Sequence, residues 1–85
     1  MKIIAGDKKE NLIIESDALV IGRVEGDIKV LSGAKLFLEA QLTGNIHLNK
    51  HSHVSIQNNV SGNVYDYGAT IEIVKGKVIG EIISE

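Results

Sequence analysis

The sequence contains no cysteine, no proline and no tryptophan, and only one Phe and two Tyr among its 85 residues. Without cysteine there is neither a disulfide framework nor a thiolate metal site, so the usual staples of small secreted domains are missing and an apolar core must supply the stability. A cytoplasmic location is the plain expectation. Long hydrophobic runs are also missing. Ile3-Ile4-Ala5 is followed within two residues by Asp7-Lys8-Lys9-Glu10, far short of a signal-peptide core or a membrane-spanning helix. Neither charge sign is in excess, with nine Lys/Arg against eleven Asp/Glu and a net charge of −2. The basic residues are scattered, so no counterion-releasing patch for nucleic acid stands out, and nucleic acid is not an expected partner.

Hydrophobic residues make up 44% of the chain and charged residues 24%, enough apolar material for one small globular domain and too little charge for a disordered tail. Abundant Val and Ile favour strands over helices. A small β domain without aromatic residues has to fill its interior with aliphatic side chains of similar size. That is easiest when one layer is repeated and stacked.

The chain does repeat, with a period of 18. Val24-Glu25-Gly26-Asp27-Ile28, Leu42-Thr43-Gly44-Asn45-Ile46, Val60-Ser61-Gly62-Asn63-Val64 and Val78-Ile79-Gly80-Glu81-Ile82 each read aliphatic, any, Gly, Asp/Asn/Glu, aliphatic. A fixed period of this kind is the mark of a stacked-repeat architecture. Alternating pairs support it: Ala18 with Val20, Leu36 with Leu38, and Val54 with Ile56. The matching pair in the last copy, Ile71 and Ile73, arrives one residue early, which predicts a turn adjustment or bulge between Val74 and Lys77. A third track runs through Ile28 and Val30, Ile46 and Leu48, then Val64, with Leu12 placed one period before Val30.

Three short strands per 18 residues describe one coil of an all-β, single-stranded right-handed β-helix with four to five rungs. Residues 1–16 read as an N-terminal lead-in with a partial first rung, and residues 17–85 as the β-solenoid. Gly26, Gly44, Gly62 and Gly80 form structural corners, and Gly22, Ala40, Asn58 and Gly76 stack at another bend where positive φ is useful. Asp27, Asn45, Asn63 and Glu81 follow the corner glycines and are placed to form a side-chain ladder bonded to turn backbone. The left-handed hexapeptide helix is the alternative, since it also has about 18 residues per coil. Val24, Val30, Leu36, Leu42, Leu48, Val54 and Val60 fit its six-residue step. The glycine expected after each aliphatic is missing at Leu31, Phe37, Thr43 and Asn49, and Asp66 and Glu72 break the run.

Residues 17 to 82, through Leu19-Val20-Ile21-Gly22-Arg23-Val24-Glu25-Gly26-Asp27-Ile28 and Leu36-Phe37-Leu38-Glu39-Ala40-Gln41-Leu42-Thr43-Gly44-Asn45-Ile46, resemble the bactofilins, bacterial polymer-forming cytoskeletal proteins. The resemblance implies a right-handed β-helix that polymerises end to end without nucleotide, often at a membrane. This chain is shorter than the family's usual core and lacks its flexible, often Pro-bearing tails. Met1-Lys2-Ile3-Ile4 is too short to anchor a chain alone, although a polymer presenting many such ends gains avidity.

The residues themselves point the same way. An uncapped solenoid leaves backbone donors, acceptors and aliphatic side chains open at each end. Ile3, Ile4, Leu12 and Ile14 at the start, and Val78, Ile82 and Ile83 at the finish, are the candidate self-association residues. Pairing through one end gives a dimer and through both a filament. The alternative function is a small non-enzymatic binding module, an adaptor, inhibitor or toxin-neutralising protein using a face of the prism. Tyr65 and Tyr67 are its candidate partner-binding residues. The bland reading of Tyr65-Asp66-Tyr67-Gly68 is a wider turn in which Tyr67 covers the core and Asp66 faces water. His47, His51 and His53 lie close in sequence, but they occupy solvent-facing or turn positions and no Asp or Glu lies between Ala40 and Tyr65 to complete a ligand set. Gly22-Arg23-Val24-Glu25-Gly26 lacks the helix start and the Lys of a phosphate loop. No catalytic, cofactor or metal site is expected, and no enzymatic activity.

Overall fold

Aliphatic residues alternating with polar ones, interrupted every few positions by Gly, Asn or Asp, favour short strands that bury one face and pair their backbone groups with neighbouring strands. The computed structural model describes residues 1–84, and the chain is all-β with no helix among them. It forms a β-solenoid of about five coils. The strands are β1 (Lys2–Lys8), β2 (Leu12–Ile14), β3 (Ala18–Glu25), β4 (Ile28–Val30), β5 (Lys35–Thr43), β6 (Ile46–Leu48), β7 (His53–Ile56), β8 (Val60–Ser61), β9 (Val64–Asp66), β10 (Thr70–Ile73) and β11 (Ile82–Ser84).

Each named strand pairs in parallel with its counterpart one coil away. One sheet runs β1-β3-β5-β7-β10 with β8 also on β5, and the other runs β2-β4-β6-β9-β11. The long β5 covers two sides of the coil in one piece, pairing β7 through Lys35 to Leu38 and β8 through Leu42 and Thr43. Register places like on like. Val20, Leu38, Ile56 and Ile73 form one inward row, Val24, Leu42, Val60 and Val78 a second, and Leu12, Ile28, Ile46, Val64 and Ile82 a third. These rows are the core, and in the middle coils its side chains are fully enclosed. Rows of branched aliphatic side chains pack well because each meets a side chain of similar size one rung, about 4.8 Å, away.

The early arrival of Ile71 and Ile73 is as the spacing predicts, opposite Val54 and Ile56 at a step of 17. The missing residue returns where a bulge was expected: the N–H groups of Val74 and Lys75 both donate to the Ile56 carbonyl, at 2.8 and 3.3 Å, and Val78 is back in register with Val60. Three expectations are corrected. Leu12 lies opposite Ile28, not Val30, because the first coil has 16 residues and Ile14 takes the place opposite Val30. The shortening falls at Glu15 to Asp17, where no glycine marks the corner. Ala40 is not at a positive-φ bend but inside β5, buried in the core, while Gly22 (φ 110°) and Gly76 (φ 77°) do take that conformation. The turn at Tyr67 is shorter than its predecessor, with three residues between Asp66 and Thr70 where four separate Leu48 from His53.

Candidate functional site

The corners that hold the coils in register are built from glycine and the residue after it. A Cβ on Gly62 would lie 2.7 Å from the Gly44 carbonyl carbon and closer still to its oxygen, and Gly44 meets the Gly26 carbonyl in the same way. Only a residue without a Cβ lets successive backbones approach this closely. The next residue supplies a continuous ladder. Asp27 N–H donates to Asn11 Oδ1 (2.9 Å), Asn45 N–H to Asp27 Oδ1 (3.0 Å), Asn63 N–H to Asn45 Oδ1 (2.9 Å) and Glu81 N–H to Asn63 Oδ1 (3.0 Å). The sequence pattern located four of these five residues. Asn11 escaped because the 16-residue first coil takes it out of the 18-residue step.

The two ends differ chemically. At the C-terminal end the core thins: Ile71 and Val78 are half-buried, and Ile73, Val74, Ile79 and Ile82 are 47, 57, 62 and 45% exposed. Ile83 lies beside Tyr65 on the outer side of its sheet. At the N-terminal end Leu12 and Ile14 are buried and Ile4 is half-buried against the core, whereas Ile3 is exposed beside Leu19. Two core-facing rows end here in lysine, since Lys2 lies opposite Ala18 and Lys8 opposite Val24.

The three histidines are dispersed. His47 stacks on Tyr65 with ring centroids 4.8 Å apart and planes 8° from parallel. His51 occupies a turn at φ 66°, and His53 lies between Lys35 and Thr70 in the sheet. Ser52 is buried with its hydroxyl donating to the Asn49 carbonyl at 2.6 Å. Among the described residues, no three His, Cys, Asp or Glu side chains stand together as a metal site would require. No helix there is long and apolar enough to cross a membrane.

Tyr65 and Tyr67 are close but differently placed. Tyr65 is half-buried, and its hydroxyl accepts from Asn63 Nδ2 at 3.4 Å. Tyr67 is 42% exposed and does not cover the core. Asp66, expected to face water, is half-buried in the row of Leu48, and its Oδ1 accepts from the N–H groups of Gly68 (2.9 Å) and Ala69 (2.6 Å). Beside these residues runs a groove of about 530 Å³ lined by Lys29, His47, Asn49 and Tyr67. Lys29 and Asn49 carried no sequence signal of their own. The 18-residue step places Lys29, His47 and Tyr65 in one row, but it does not bring Asn49 and Tyr67 to the border of that row.

No protein-family model matches the chain, and no significant match to a curated protein or a solved structure was found.

Proposed function

We infer that this is a non-enzymatic structural protein, bactofilin-like in its repeat, which associates end to end through its terminal rungs without nucleotide or other cofactor. The observation that carries the reading is the C-terminal rung. There Ile73, Val74, Ile79 and Ile82, all in the last coil, are about half exposed, beside strand edges whose next partner is missing among the described residues. Burying a half-exposed side chain of this size contributes about 1 kcal/mol, and an open strand edge adds directional backbone pairing. The N-terminal rung is the weaker partner, because stacking another coil on it would bury Lys2 and Lys8 without a counter-charge. The first species is therefore a dimer through two C-terminal ends, closed by a two-fold axis.

Sedimentation velocity across a concentration series, with negative-stain microscopy of the nucleotide-free protein, tests this. A concentration-dependent dimer is expected. Ile82→Lys converts it to monomer, because a charge enters the contact, whereas Ile4→Lys at the opposite end leaves the dimer intact. A single monomeric species at every concentration, or a dimer indifferent to Ile82→Lys, would overturn the reading.

A further inference from the structure

We propose that the groove on the outer side of the second sheet binds an acidic saccharide, a sugar ring carrying one carboxylate as in a uronic acid. The site is lateral, away from the coil ends, so the proposal goes beyond end-to-end association.

The register builds the groove. Lys29, His47 and Tyr65 are successive outward residues of β4, β6 and β9. Asn49 and Tyr67 lie two residues farther on, where the chain leaves β6 and β9. Lys29 and Tyr67 are two rungs apart, roughly 10 Å across the strands, about the reach of a disaccharide.

The mount is rigid. His47 is backed by the stacked Tyr65 ring, which Asn63 holds by its hydroxyl. The Tyr67 N–H donates to the Leu48 carbonyl at 3.0 Å, and the turn that follows is tied twice to Asp66. The His47 ring and the Tyr67 backbone, fixed in this way, lose little freedom when a ligand arrives.

The lining chemistry selects the ligand. It offers one ammonium, one imidazole, one carboxamide and one phenol, and no carboxylate. The exposed Tyr67 ring suits the apolar face of a pyranose, the amide and imidazole pair with hydroxyl groups, and the single lysine matches a single carboxylate. A phosphate would call for a cluster of backbone N–H groups or several cations, and neither lines the groove.

One tyrosine of the chain, Tyr67, lines the groove, the other, Tyr65, backs His47, and tryptophan is absent, so intrinsic tyrosine fluorescence reports on this region alone. The protein is titrated with trigalacturonate, with maltotriose as the uncharged comparison and with inorganic phosphate and AMP as other anions. A saturable change with trigalacturonate alone is expected. Lys29→Gln weakens it about three- to fivefold, the worth of one exposed ion pair, and Tyr67→Ala weakens it further. Both positions are on the surface, and far-UV circular dichroism verifies that the variants remain folded. No saturable change at tens of millimolar trigalacturonate would overturn the proposal. So would an equal response to maltotriose, a Lys29→Gln protein that binds as tightly as the parent, or binding of AMP or phosphate in preference to the uronate. Association is followed in the same samples by sedimentation, so failure of the end contact and failure of the groove are read separately.

Discussion

Replacing Gly62 by alanine should cost far more than replacing Gly33, although both glycines have positive φ, 156° and 80°. At Gly33 an added methyl meets nothing within 4 Å, so the penalty is conformational only, about 1–2 kcal/mol. At Gly62 the methyl falls against the Gly44 carbonyl and within 2.9 Å of Asn45 Oδ1. It can be accommodated only if the third and fourth coils separate at this corner. That separation stretches the hydrogen bonds from Gly44 N–H to Ser61 O (3.1 Å), from Asn63 N–H to Asn45 Oδ1 (2.9 Å) and from Ile46 N–H to Asn63 O (3.0 Å). At about 1 kcal/mol each, plus about 1 kcal/mol for the backbone conformation, the loss is about 4 kcal/mol. A chain of this length has a total stability on the order of 4–13 kcal/mol, so the variant loses from about a third to nearly all of it. Urea denaturation followed by far-UV circular dichroism gives the free energies, and thermal scans should show Gly62→Ala more than about 15 °C below the parent, with Gly33→Ala about 5–15 °C below it. Equal losses for the two variants would refute the close-approach argument and leave φ as the whole explanation.

Two other perturbations test the ladder and the turns. Asn45→Ala removes the acceptor for the Asn63 N–H and should cost about 1–2 kcal/mol by urea denaturation, whereas Asn45→Asp, which imitates Asp27 one coil earlier, should cost far less. Among the described residues, His51 is the non-glycine residue with positive φ, at 66°, one rung from Gly33 in the sequence repeat. His51→Gly should therefore raise stability by about 0.5–1 kcal/mol, and a loss in the same assay would mean that the imidazole makes a contact outweighing the backbone relief.

The solenoid was legible because its tightest requirement leaves a mark at every pass. A corner where backbones nearly touch admits only glycine, so Gly26, Gly44, Gly62 and Gly80 announce the coil length, and Asp27, Asn45 and Asn63 announce the ladder. Even the slip at Ile71 could be read, since inward aliphatics must stay in their rows. The first coil was hard to read because its shortened corner, Glu15 to Asp17, carries no such mark, and two missing residues shifted Leu12 by one inward position. Ala40 misled because it shares a repeat position with glycines, while its methyl points into the core of a continuous strand. The groove was half-legible. The aromatic residues stood out, but Lys29 and Asn49 join its lining only through neighbours on adjacent coils.

The glycine corner also gives the stack an arrow. Each corner glycine is required by the coil before it: the Cβ it lacks would strike the preceding carbonyl, Gly62 against Gly44, Gly44 against Gly26, Gly26 against Glu10. The residue at the bottom of that series is Glu10, which has a Cβ. Glu10 also lacks the positive φ of Gly26, Gly44 and Gly62, so the series of close approaches begins with Gly26 against the Glu10 carbonyl. Above Gly80 the series continues only if the incoming corner is itself a glycine. The column thus has a direction, written in one missing methyl group at each glycine corner.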